Sequence, residues 1–159
     1  MWVLAEKLSG IKLREIYWAS SESGPDSAPA PEMSDTKALQ PALSVVNLTL
    51  WHAVVDKTAV AAAGHSLGEW AALAAAGVLG VEDVLKAVCV RGQLMAGAGK
   101  EGHGMAAVVK LPLSTVEPLV DKAAKQSGAF LRIANHNSPA QFVISGEKPA
   151  LDAAAALVK

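Results

Sequence analysis

The stretch Gly64-His65-Ser66-Leu67-Gly68-Glu69 sets the terms on which the rest of the chain can fold. It follows a small apolar run, Ala59 to Ala63, and precedes Trp70-Ala71-Ala72-Leu73-Ala74-Ala75-Ala76, whose composition suits a helix packed close against a sheet. The expected order is strand, sharp turn, helix. Glycines two before and two after Ser66 let strand and helix approach closely, and the turn lifts the serine hydroxyl clear of the sheet as a nucleophile elbow. The helix start also directs backbone N–H groups and the positive end of its dipole at the space beside Ser66. A developing oxyanion is stabilised there. Ser66 and Glu69 also fit a capping box, in which the serine would only tie off the helix. Capping requires neither flanking glycine, so the glycines favour the nucleophile.

Composition narrows the setting. The 159 residues, 52% hydrophobic and 18% charged, suit one globular domain or a piece of a larger one. A net charge of -1 gives no reason to expect nucleic acid or an anionic membrane as partner. The single cysteine, Cys89, excludes an internal disulfide framework, and its apolar neighbours predict a buried thiol in a reducing compartment. Glu6 and Lys7 interrupt the apolar start, so no targeting segment is expected. The apolar region Ala59 to Val81 carries His65, Ser66 and Glu69 at its middle, which a membrane span would bear at high cost. The expectation is a soluble, cytoplasmic protein. Four dispersed histidines, His52, His65, His103 and His136, and one cysteine make no metal-ligand cluster.

Along the chain, Trp2, Leu4, Ala5 and Leu8 predict an amphipathic helix ended by Gly10, and Leu13 to Trp18 a second short element. Ser20 to Ser34, with Pro25, Pro29 and Pro31, reads as a surface loop. Thr36 to Asp56 reads as a long helix with Pro41 in its first turns, and Val81 to Ala98 as another helix. Gly97 to Gly102 formally matches GxGxxG, but a helix precedes it where the phosphate-binding form needs a strand, so it reads as a connector. Beyond Gly104 the expected elements are a strand over Met105 to Leu111, a helix over Ser114 to Gln126 stopped by Gly128, strands over Phe130 to Ala134 and Gln141 to Ser145, and a helix from Lys148. Asn135 to Ala140 reads as a loop between the strands. Strand, helix, strand, strand, helix is most of a split βαβ unit without its final strand, and a domain boundary is expected near Gly99 to Gly104.

These pieces together resemble the malonyl-CoA:acyl carrier protein transacylases and related acyltransferase domains. The likeness rests on GHSLGE at Gly64 to Glu69, Val90-Arg91-Gly92-Gln93-Leu94-Met95, Gly104-Met105-Ala106-Ala107-Val108 and Asn135 to Gly146, with a weaker match at Thr36 to Leu43, containing Gln40-Pro41-Ala42-Leu43. It implies an α/β fold: a partial hydrolase-like large subdomain over residues 1–100 and an incomplete ferredoxin-like small subdomain over residues 104–159. It assigns Ser66 as nucleophile, the Leu67 backbone N–H as half of the oxyanion hole, and Arg91 as the group that holds the free carboxylate of the malonyl unit. A planar guanidinium suits that task because it grips a carboxylate through two parallel hydrogen bonds. On its spacing alone Arg91 is equally a solvated residue of a helix surface. Gln40 and His65 are expected beside the substrate. His65 is not expected to act as the base, since adjacent side chains on a sharp turn diverge. The family's other oxyanion donor, in a GQG loop, and its catalytic histidine have no counterpart in the sequence, so a chain truncated at both ends and nearly inactive alone is expected.

The implied chemistry is ping-pong acyl transfer through a malonyl-serine intermediate, from malonyl-CoA to the phosphopantetheine thiol of acyl carrier protein, without redox or metal cofactor. Two other readings share the elbow. A serine esterase or thioesterase would pass the acyl group to water and would not need Arg91. A non-catalytic fragment would at most bind a partner.

Overall fold

The computed structural model describes residues 1–21, 34–54, 59–99 and 101–158. They fall into two compact units, Met1–Ala98 and Gly99–Lys159, each with its own apolar core. The loop expected over Ser20 to Ser34, the end of the long helix at Asp56 and Lys100 of the connector lie largely or wholly outside the described residues.

The first unit is helical. Helix α1 (Trp2–Ser9) ends where expected, at Gly10, whose φ of 71° is left-handed and whose N–H reaches the Glu6 carbonyl at 2.9 Å. Helix α2 (Leu13–Ser21) is tied to α1 by the Glu6 carboxylate, which accepts from the Arg14 backbone N–H at 2.9 Å and from Nε and Nη2 at 3.0 and 2.6 Å. Those bonds favour the ionised form and hold the Glu6 carboxyl below the usual carboxylate range. Helix α3 (Thr36–Ala53) starts on Asp35, whose side chain accepts from the Lys37 N–H at 2.9 Å. After a short α4 (Gly68–Ala75), helix α5 (Val81–Ala98) carries Glu82 and Asp83 in its first turn, where the helix dipole favours acid groups.

Helices α3 and α5 build most of this core. Ala38, Ala42, Val45 and Leu48 of α3 recur at helical spacing and meet Val84, Leu85 and Val88 of α5, with Ala5 and Leu13 closing the side. Cys89 is buried, as expected, and desolvation pushes its thiol pKa up.

The strand expected over Ala59 to Ala63 does not form. These residues are exposed and belong to no ladder, and no strand lies among the described residues of this unit. An apolar run becomes a strand only when a second strand takes up its N–H and C=O groups. The turn and helix that follow it do form.

The second unit carries the sheet. In order come β1 (His103–Val109), α6 (Leu113–Ser127), β2 (Leu131–Ser138), β3 (Gln141–Glu147) and α7 (Lys148–Val158). The strands pair antiparallel in the spatial order β1-β3-β2, with Val108 opposite Phe142, Ala106 opposite Ile144 and Leu131 opposite Gly146. Val108, Leu131, Phe142 and Ile144 pack with Val116, Val120 and Ala123 of α6 and Ala150 and Ala154 of α7. Gly128 ends α6 with φ 65°. The loop expected over Asn135 to Ala140 is shorter: β2 continues to Ser138, and only Pro139 and Ala140 lie between the strands. Register shifts after Ile133 and His136 let the polar residues bulge while pairing continues, so cross-strand hydrogen bonding overrides composition. His103, within the expected boundary segment Gly99 to Gly104, opens β1 opposite Glu147 for the same reason. No helix of the described residues is long and apolar enough to cross a membrane.

Phe142 is fully buried at the centre of this core. Truncation to alanine is expected to cost about 3–5 kcal/mol, the usual range for a buried phenylalanine. Native-state hydrogen exchange checks it: amides of β1, β2 and β3 should exchange faster in Phe142→Ala, and unchanged rates would refute the assignment.

Candidate active site

The turn at Ser66 has the strain an elbow requires. Ser66 adopts φ 52°, a left-handed conformation shared among the described non-glycine residues only by Lys110. For an L-residue this costs about 1–2 kcal/mol, so the surroundings must impose it. The chain closes with the Gly68 N–H on the His65 carbonyl at 2.9 Å and the Glu69 N–H on the Ser66 carbonyl at 3.2 Å. Gly64 makes the closure possible, because a Cβ there would overlap the carbonyl group of Gly68. Gly68 itself has open space where a Cβ would sit, so contact enforces only the first of the two flanking glycines.

The capping-box reading of Ser66 fails on geometry. The N-cap of α4 is Leu67, and no side chain caps the helix. Among the described residues the Leu67 N–H makes no backbone hydrogen bond.

The Ser66 hydroxyl is instead held by Arg91. From α5, Arg91 Nη2 donates to Ser66 Oγ at 2.9 Å while Nη1 donates to Gln40 Oε1 at 2.6 Å. Gln40, on α3, is 3% exposed, and its Nε2 donates to Thr36 Oγ1 at 2.6 Å and to Met95 Sδ at 3.2 Å. A bond from an arginine fixes the polarity at both ends. The guanidinium only donates, so the serine oxygen accepts and its own proton stays available to a base, while the guanidinium keeps further N–H donors for a ligand. Arg91 is thus half-buried and bonded on two sides, not a solvated surface residue.

Gly92 explains how α3 and α5 come close enough for this. A Cβ on Gly92 would stand 2.9 Å from the Thr36 carbonyl oxygen and 3.3 Å from Lys37 Cα, so the α5 backbone rests directly on the first turn of α3. Beside the cluster, a cleft of about 710 Å³ runs along α5, lined by Trp70, Ala87, Val90, Arg91, Leu94 and Met95 among others. Its walls are mainly apolar, and Asp83 and Lys86 also line it.

Three of the expected site residues, Ser66, Arg91 and Gln40, therefore meet through direct hydrogen bonds, and Leu67 follows the serine in the turn. His65 is exposed, with its carbonyl taken up by Gly68. His52 sits near the end of α3, and His103 and His136 in β1 and β2, the latter ring 4.5 Å from that of Phe142. No group of three His, Cys, Asp or Glu that could hold a metal occurs among the described residues. Thr36, Gly92 and Met95 lie in the matched segments but were not expected as site residues. A signal existed for each: a glycine inside a helical pattern marks a close approach, and Thr36 and Met95 stand four residues from Gln40 and Arg91 on the same helix faces.

Known proteins share this arrangement of segments. Residues 5–159 match the acyl transferase domain family. The malonyl CoA-acyl carrier protein transacylase of Escherichia coli strain K12 is 38% identical over 146 residues, covering 89% of this chain and 45% of that protein. The crystal structure of FabD from Acinetobacter baumannii superposes with a TM-score of 0.82 at 32% identity, over 99% of this chain and 48% of the other. A malonyl-transacylase in complex with its type II PKS acyl-carrier protein superposes with a TM-score of 0.80 at 32% identity, over 99% of this chain and 49% of the other. The chain spans about half the length of these relatives. The match takes in α3, the elbow and α5, the segments that bring Gln40, Ser66 and Arg91 together, and on that ground the chain belongs to the acyl transferase domain family.

Proposed function

We propose that this chain carries the nucleophile and the acid-recognising part of a malonyl-CoA:acyl carrier protein transacylase. The observation that supports it most is the contact of Arg91 Nη2 with Ser66 Oγ, which places a permanent cation within one acyl unit of a strained serine. A malonyl thioester has a carboxylate at that distance from its reacting carbonyl. Arg91 exchanges its bond to Ser66 for paired bonds to the carboxylate, and the serine attacks the thioester carbonyl as a base removes its proton. The Leu67 N–H receives the oxyanion, CoA leaves, and a malonyl-serine ester remains. The phosphopantetheine thiol of acyl carrier protein then takes the malonyl group, which restores Ser66. His65 and Gln40 flank this site, with Gln40 holding Arg91 from behind. The reaction has no step that needs a redox or metal cofactor, and it takes place in the cytoplasm.

The same reading places residues 1–100 in a hydrolase-like large subdomain and residues 104–159 in a ferredoxin-like small one. The element order β-α-β-β-α with strands β1-β3-β2 antiparallel supports the second.

The test is covalent labelling of the full-length protein with radiolabelled malonyl-CoA. One label per chain is expected on Ser66, and none in Ser66→Ala of unchanged circular dichroism. Label retained by Ser66→Ala, or found on another residue, would overturn the proposal.

A further inference from the structure

We infer that Thr36 is a positioning residue for acid-selective acyl transfer, acting on Arg91 through the carboxamide of Gln40. The inference rests on the transferase reading above and concerns the selectivity of the same site.

The chemistry of the donors fixes the chain of contacts. Arg91 Nη1 can only donate, so the Gln40 group 2.6 Å from it is the oxygen, and the amide nitrogen must face the other way. That nitrogen has two protons and meets Thr36 Oγ1 at 2.6 Å and Met95 Sδ at 3.2 Å. The thioether is a weak acceptor, so the threonine hydroxyl is the one strong acceptor that the amide NH2 meets. An amide rotated end for end would point its NH2 at the guanidinium, donor against donor. The guanidinium thus sets which end of the amide faces it, and the Thr36 bond fixes where that amide stands. With Nη1 anchored, the opposite nitrogen of the planar group lies at Ser66 Oγ, which is where a carboxylate must be met.

Thr36 is well placed for such a task. It opens α3 directly after the Asp35 cap, and its carbonyl oxygen lies under Gly92, next to Arg91 in α5. Its backbone is held by the helix and by this packing, which fixes where the hydroxyl meets the amide. The carboxylate of a malonyl group keeps its charge throughout the reaction, so an anchor that steadies Arg91 serves substrate and transition state alike. Weakening it raises KM more than it lowers kcat. An acetyl thioester has no carboxylate and does not depend on the anchor.

The experiment uses the full-length protein with malonyl-CoA and acetyl-CoA as separate acyl donors, comparing wild type, Thr36→Val and Thr36→Ser. Loss of this half-buried hydrogen bond to the amide is expected to lower the malonyl-to-acetyl ratio of kcat/KM about tenfold in Thr36→Val, chiefly through the malonyl KM. Thr36→Ser, which keeps the hydroxyl, should restore most of it. An unchanged ratio in Thr36→Val overturns the inference, as does an equal fall in both variants, which would assign the effect to packing. If Thr36→Val does not fold, Thr36→Ala carries the same test with less bulk. Wild-type protein that leaves Ser66 unlabelled by either donor overturns the transferase reading itself, and this inference with it.

Discussion

Replacing Arg91 with alanine is expected to slow transfer from malonyl-CoA about 10²- to 10³-fold. Truncating one partner of a buried, hydrogen-bonded charge pair typically costs about 2–5 kcal/mol, and 1.4 kcal/mol is about a factor of ten. The loss should fall on the acid substrate, so the preference for malonyl over acetyl should shrink with it. Arg91→Lys should recover only part, since an ammonium cannot offer two parallel N–H bonds from a plane. Alanine also leaves the oxygen of Gln40, a residue only 3% exposed, without its donor. That orphaned acceptor costs about 1–3 kcal/mol of stability, and thermal unfolding should be followed in parallel so that a folding loss is not counted as a kinetic one. Unimpaired turnover of malonyl-CoA by a folded Arg91→Ala protein would favour a serine hydrolase over a transacylase.

Gly64→Ala should be the most damaging single methyl group in the first unit. Its Cβ would overlap the carbonyl of Gly68, so the turn must open, and with it go the φ of Ser66 and the reach of Oγ to Arg91. A displacement of the nucleophile by about 1 Å is enough to cost roughly 10²-fold in rate. Gly68→Ala is the matched control. Nothing stands within 4 Å of its added Cβ, and alanine is the better helix former at the start of α4. Labelling by malonyl-CoA should therefore collapse in the first variant and persist within about two- to threefold in the second, given that substitutions away from contact usually stay within ±0.5 kcal/mol. Equal losses would mean that the turn is not held closed by the approach of residues 64 and 68.

Much of this was legible in the residues, for identifiable reasons. Helices α3 and α5 could be read because their apolar positions repeat at the spacing of one buried face, and α1 and α6 because Gly10 and Gly128 mark their ends. The strand before the elbow was not, because a run of small apolar residues states only that a strand would be compatible. Whether one forms depends on a neighbour that local sequence does not name. The hairpin erred in the opposite direction: Asn135, His136 and Asn137 have loop composition, yet pairing with β3 holds them in the sheet through two bulges. Within the site, types and spacing pointed to Ser66, while the union of Ser66 with Gln40 and Arg91 depends on how α3 lies on α5. Gly92 governs that approach through the space it leaves empty, a role that its place in the Val90 to Met95 match does not state.

Gln40 offers Arg91 an oxygen without a formal charge. A glutamate there would hold the guanidinium equally well in geometry, but it would satisfy the cation before any acid arrived, and a visiting carboxylate would meet a neutral salt pair. A carboxamide steadies the arm and leaves its electrostatic demand unmet, so the vacancy for an anion is written into the choice of amide over acid one helix away from the serine.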